Sequence, residues 1–229
     1  MTLASPLTST THTEVQRDGY ALLRGVIPTD WLDSLRTAFD GGVIPVDQWP
    51  VRRGHDWRHS LLDLDPTIQA MCRLPLLLAT VGELVGETFF LSQVEGREPL
   101  QDGGHQGLHR DLSAQRPGDT VVALAFFDDY GPDNGATRLV PSSHRPADAP
   151  FGTIDDERAE QIAGHAGDIL VFDADLLHAA CLNKTGARRR SALFTYFAAP
   201  LYETHLRTAK LRSVRMDTSD RFDRFGRVA

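Results

Sequence analysis

A chain of 229 residues, 41% hydrophobic and 24% charged, is long and apolar enough for one large globular domain with a sizeable core. Its formal charge of −7 argues against a general nucleic-acid binder, and its two cysteines, Cys72 and Cys181, are too few for a disulfide framework and lack the CxxC spacing of a zinc or redox site. No signal-like opening and no bilayer-length apolar stretch stands in the sequence, so a cytoplasmic location without a membrane partner is expected.

Residues 1–13 read as a disordered polar leader. The segment DGYALLRGVIPTDWLDSLRTAFDGG predicts a short strand, a turn and a helix that opens near Thr29 or Asp30. That helix places Trp31, Leu35 and Ala38 on one face and stops at Gly41 and Gly42. Residues 43–60 mix Pro, Trp, Arg and His without a period, which predicts a loop laid over a site. A second helix is expected over about Leu76–Val85, after Pro75. From residue 88 the texture changes to short β-branched or aromatic runs between turn residues: TFFLSQVEG, TVVALAFFDDY, ATRLVPSS, GDILVFDADLLHAAC and RSALFTYFAAP. These runs predict a mainly β domain over 14–200, a sandwich or barrel, and not a βαβ repeat. Asp133, Asn134 and Gly135 mark a turn, because Asn-Gly accepts the positive φ of a hairpin. Asp155–Ala163 reads as an acidic helical insertion. Residues 201–229 hold seven Lys/Arg against four Asp/Glu, so the rest of the chain carries −10. This basic tail is either a solvated end or a flap that presents cations to an anionic substrate.

In GLHRDL, His109 and Asp111 are two apart, so on an extended segment their side chains leave on the same side. The pair alone is equally what a surface ion pair looks like. In GDILVFDADLLHAAC an apolar strand opens after Gly167 and Asp168 and ends at His178, where a histidine can face inward. A core imidazole bonded to a backbone carbonyl is the plain alternative. Two imidazoles and a carboxylate on one face of an ion leave its opposite face open, which suits an Fe(II) that must accept a cosubstrate and O2 together. Arg189 stands eleven residues after His178, in GARRRSALFTYF. Its planar fork matches the far carboxylate of a dicarboxylate, and Ser191 could add a hydroxyl from the same face. Strand register leaves Arg188 and Arg190 open as the inward-facing arginine.

Two other histidine pairs, His55 with His59 and His105 with His109, have the spacing of helical metal ligands. Glycines at 54, 103, 104 and 107 make neither segment a good helix, and no Glu follows the first His, so the HExxH pattern of a zinc protease is missing. No nucleophile elbow, P-loop or GxGxxG motif is present.

Taken together, DGYALLRGVIP, LHRD, DNGATRLVPSSHR and GDILVFDADLLHAACLNKTGARRRSALFTYF resemble the phytanoyl-CoA dioxygenase family of Fe(II)/2-oxoglutarate oxygenases over residues 14–200. The resemblance implies a double-stranded β-helix, a cupin-like jelly roll of two antiparallel sheets with flanking helices. It implies Fe(II) held by His109, Asp111 and His178, with 2-oxoglutarate and O2 as cosubstrates and Arg189 on the C5 carboxylate. Gln93, on the strand before the His-x-Asp turn, matches a region that contacts cosubstrate or substrate in relatives. The activity implied is oxidation of an unactivated C–H bond of a small organic molecule by hydroxylation, cyclisation or desaturation, as in a tailoring step of bacterial natural-product metabolism. Asp111 supports oxygenation over halogenation.

Two departures stand out. Ser113, Ala114 and Gln115 follow the metal aspartate where the family's hydroxylases often carry an aromatic residue, and Ser142 replaces a turn glycine. Substrate walls are expected in residues 43–60 and 145–160 and in the basic tail, where Trp49, Trp57, Arg52 and Arg53 suit a polar or anionic molecule with some apolar surface. A monomer or homodimer is expected. The competing readings are a non-catalytic small-molecule-binding protein on the same barrel and a cupin-like metalloenzyme that does not use 2-oxoglutarate.

Overall fold

The computed structural model describes residues 9–49, 52–111, 115–144 and 156–229; Ser113, Ala114 and most of the 145–160 segment lie outside the described residues. A seven-stranded sheet is built from β1 (Tyr20–Leu23), β2 (Val43–Ile44), β3 (Trp57–Ser60), β4 (Phe89–Pro99), β5 (Thr120–Phe126), β8 (Ile169–Asp173) and β10 (Ser191–Ala198). Its order is β1-β8-β5-β10-β4-β3-β2. A three-stranded sheet, β7-β6-β9, holds β6 (Thr137–Leu139), β7 (Glu160–Gln161) and β9 (His178–Ala180). The strand pairings are antiparallel, as a jelly roll requires.

Alternation along β10 explains what each face does. Ala192, Phe194, Tyr196 and Ala198 join a core with Leu35 and Phe39 of α2 (Leu32–Gly41), Met71 of α3 (Pro66–Met71) and Leu77 and Val81 of α4 (Pro75–Val85). The Tyr196 hydroxyl donates to the Cys72 carbonyl at 2.8 Å, pinning the strand to the end of α3. Leu193, Thr195 and Phe197 leave from the other face, are only partly buried, and line the cavities of the barrel. Between the sheets, Val122, Leu124, Phe126, Leu170 and Phe172 pack on Leu139, Ile162 and Leu176. The central strands β5 and β8 are buried along their whole length, which is why they read as nearly unbroken apolar runs.

Several expectations are corrected. The leader expected to residue 13 overlaps a helix, α1 (Ser9–Asp18), whose Val15 is fully buried; residues 1–8 lie outside the described residues. The loop expected at 43–60 contains β2 and β3, which extend the large sheet: β3 pairs with β4 through Trp57↔Pro99 and His59↔Arg97, β2 pairs with β3, and these hydrogen bonds form both strands without any apolar period. In place of the helix at Asp155–Ala163, residues 156–163 hold a turn and the short strand β7, recruited by β6. The strand expected to run to His178 ends at Asp173; the chain turns and crosses to the other sheet, where His178 opens β9. Gly135 does adopt φ +87°, but its turn leads from the large sheet to the small one and is no hairpin within a sheet.

The C-terminal segment is packed against the barrel. After α5 (Tyr202–Thr208), Phe222 exchanges two 2.9 Å backbone hydrogen bonds with Phe89 and is buried beside its ring. Arg215 closes on buried Asp63, its Nε 2.8 Å from the carboxylate. Among the described residues, no helix is long and apolar enough to cross a membrane.

Candidate metal centre and adjoining cavities

His109 and His178 face each other across the small sheet's edge, exchanging two 3.0 Å backbone hydrogen bonds, with ring centroids 4.6 Å apart. Each imidazole donates from Nδ1 to a carbonyl two residues back, His109 to Gly107 and His178 to Leu176, both at 2.9 Å. That leaves each Nε2 lone pair free, the second contact that orients a ligating histidine. Both point to Asp111, with His109 Nε2 3.7 Å from Oδ1 and His178 Nε2 3.6 Å from Oδ2. The three ligand atoms lie within 4.8 Å of one another. Burial holds His178 below the ordinary imidazole range, hence neutral and able to donate its lone pair to a cation. Two imidazoles and one carboxylate fit a facial divalent site with open positions.

Arg189 settles the register. Arg188 is taken by Glu98 and Asp40, and Arg190 by Asp128 and Asp40. Arg189 alone of the three turns inward, 2% exposed, with its Cζ 4.4 Å from the Tyr130 ring and 5.7 Å from that of Trp57. Its Nε and Nη1 are buried without a hydrogen-bond partner among the described residues. An unmatched buried guanidinium is costly, and an anion is the group that would satisfy it. Arg189, Ser191, Thr137 and the triad line one pocket, closed on its apolar side by Leu124, Phe172 and Leu193. The Ser191 hydroxyl donates to the Arg97 carbonyl at 2.9 Å.

Gln93 is elsewhere. It belongs to a second cavity with Arg53, Glu95, Arg97 and Arg212, its Nε2 3.3 Å from Glu95 and its Oε1 accepting from Arg212 at 3.0 Å. Sequence reasoning missed Glu95, Arg97, Thr137 and Tyr130. A signal existed for two of them: Gln93, Glu95 and Arg97 are polar at period two on β4, opposite buried Val94. Of the expected substrate walls, Trp57 lines the triad pocket and Arg53 the second cavity, while Trp49 is buried under Arg53 at 5.0 Å. Ser142 adopts φ +64°, which is why a glycine is the easier residue at that turn.

The family model for phytanoyl-CoA dioxygenase matches residues 15–191. The uncharacterised protein Rv1501 of Mycobacterium tuberculosis is 29% identical over 140 residues, 56% of this chain and 50% of that one. Dioxygenase cdmA of Talaromyces verruculosus is 30% identical over 146 residues, 60% of this chain and 44% of that one. The chain thus spans about half the length of the curated relatives it matches. Among solved structures, HygX from Streptomyces hygroscopicus with nickel, 2-oxoglutarate and hygromycin B bound superposes with a TM-score of 0.70 at 19% identity, over 84% of this chain and 88% of that one. At that identity the likeness speaks for the fold.

Proposed function

The chain belongs to the phytanoyl-CoA dioxygenase family, and from that premise we propose that it is an Fe(II)- and 2-oxoglutarate-dependent oxygenase acting on an unactivated C–H bond of a small organic molecule. One observation carries this reading: an open two-histidine, one-carboxylate face shares its pocket with a buried guanidinium whose Nε and Nη1 have no hydrogen-bond partner among the described residues. Iron, 2-oxoglutarate and O2 together supply the oxidising power for C–H cleavage when bound. The protein's residues bind, orient and shield. Nε2 of His109, Nε2 of His178 and the Asp111 carboxylate hold the metal, and the two Nδ1–H donors to Gly107 and Leu176 keep both rings in the ligating tautomer. Arg189 takes the C5 carboxylate of the cosubstrate through its free Nε and Nη1, and stacking on Tyr130 holds its plane. Leu124, Phe172 and Leu193 give the pocket an apolar wall beside the triad.

The substrate is a polar or anionic small molecule, and the step is a tailoring reaction in bacterial natural-product metabolism. The dioxygenase name of the cdmA relative supports the oxygenase chemistry only, and the hygromycin B bound in HygX of Streptomyces hygroscopicus supports the tailoring placement. The test is optical. Anaerobic addition of Fe(II) and 2-oxoglutarate gives a weak visible charge-transfer band in the wild-type protein and none in Asp111→Ala; a wild-type protein without the band rejects the assignment.

A further inference from the structure

The second cavity, about 390 Å³, shares Arg97, Asp111 and Leu193 with the triad pocket, so whatever fills it lies against the metal centre. Its charges do not balance. Glu95 accepts from Arg53 Nη2 and from Arg97 Nε, both at 2.6 Å, and is the one carboxylate left once Asp111 serves the metal. Arg212 has no carboxylate within 4 Å among the described residues. Its donors go to neutral acceptors, Gln93 Oε1 at 3.0 Å and His205 Nδ1 at 2.6 Å. His205 is itself kept neutral, pushed down to about 4 by burial and by Arg212 and Arg221. Three guanidinium groups therefore face one carboxylate in a half-enclosed cavity, and the buried Nε of Arg53 has no hydrogen-bond partner among the described residues. Two uncompensated cations beside apolar walls are unfavourable unless an anion joins them.

We infer that this cavity seats an anionic group of the substrate, a carboxylate or a phosphate on an apolar body, with Arg212 as its main contact and Val122, Leu193 and Phe197 as the wall for the body. The inference rests on the oxygenase reading only in calling the occupant the substrate. Arg212 arrives from the C-terminal segment, beyond residues 15–191 matched by the family model. Gln93 and His205 act as positioning residues: they orient the guanidinium without neutralising it.

The test uses protein loaded with Ni(II) and 2-oxoglutarate, so that Arg189 is occupied, and calorimetric titration with 3-phenylpropanoate, phenyl phosphate and the neutral 3-phenylpropanamide. At least one anion is expected to bind about tenfold or more tightly than the amide, the size of one charge-assisted contact, and the comparison of the two anions identifies the group. Arg212→Gln should bring that anion to within about threefold of the amide and leave 2-oxoglutarate affinity unchanged. Arg212→Met, which replaces the guanidinium over the Phe197 ring by an unbranched apolar side chain, is the second neutral variant should the first fail to fold. The proposal is overturned by anions that bind no better than the amide, by a preference that survives both variants, or by one that disappears when excess 2-oxoglutarate is added. If wild-type protein takes up neither Ni(II) nor 2-oxoglutarate, the oxygenase reading fails by itself; titrating the metal-free protein and its Arg212 variants then decides the anion site by the same criterion.

Discussion

The two ends of the barrel cavity treat positive charge differently. At the inner end Arg189 is fully buried, stacked on an aromatic ring, with two donor atoms that no protein group meets. At the outer end Arg53 and Arg97 share Glu95, and Arg212 rests on an amide oxygen and an imidazole. An inner cation so enclosed accepts one shape of anion; the half-satisfied outer cations can adapt to several. The difference fits the proposal of a cosubstrate carboxylate below and an anionic substrate group above.

The strongest way to break this comparison is to remove Asp111, the candidate metal ligand that both cavities share. Asp111→Ala should abolish substrate-dependent succinate formation, and wild-type-like succinate release without added carboxylate would refute the site. Next in size, Arg189→Ala should raise the 2-oxoglutarate KM by roughly 10- to 100-fold, the value of a charge-assisted pair, and leave the substrate KM nearly unchanged. Arg188→Ala and Arg190→Ala should stay within about threefold for 2-oxoglutarate, because their partners are Glu98, Asp40 and Asp128. Steady-state kinetics of the three variants sharpens the contrast between inward and outward arginines. At the outer end, Arg212→Gln should move anion affinity about tenfold with no change in 2-oxoglutarate affinity.

The smallest effect concerns pH. His205 has a folded pKa of about 4 against an ordinary value of 6.5, so the unfolded chain binds the extra proton first as pH falls. The stability gained from neutral His205 is complete above about 6.5 and is lost as pH falls from 6.5 toward 4. Thermal unfolding at pH 7.5 and 4.5 should show the wild-type advantage over His205→Gln shrinking at the lower pH. A gap that widens instead would mean the ring is charged in the fold and that Arg212 is held by something else.

How much was legible follows from the distance over which each decision is made. The His-x-Asp pair needs only a local extended backbone, and β5 and β8 announce themselves because burial on both faces demands apolar residues throughout. The strands at 57–60 and 160–161 were hidden, because partners supply their hydrogen bonds and no side-chain period is required. His178 was placed on the wrong strand since the apolar run continues through the turn that carries the chain from one sheet to the other.

By itself, then, the sequence determined the β-rich fold class and singled out a candidate ligand set, His109, Asp111 and His178, with an arginine cluster beyond it, all carried by residue type and short spacing. Only the tertiary structure decided which of three consecutive arginines turns inward, because Asp40, Glu98 and Asp128 come from elsewhere in the chain to claim the other two. It alone brought Arg212 to Gln93, 119 residues away, and so turned a basic tail into one wall of a cavity. A pattern of spacing fixes what a strand can present; packing across the whole chain fixes what it faces.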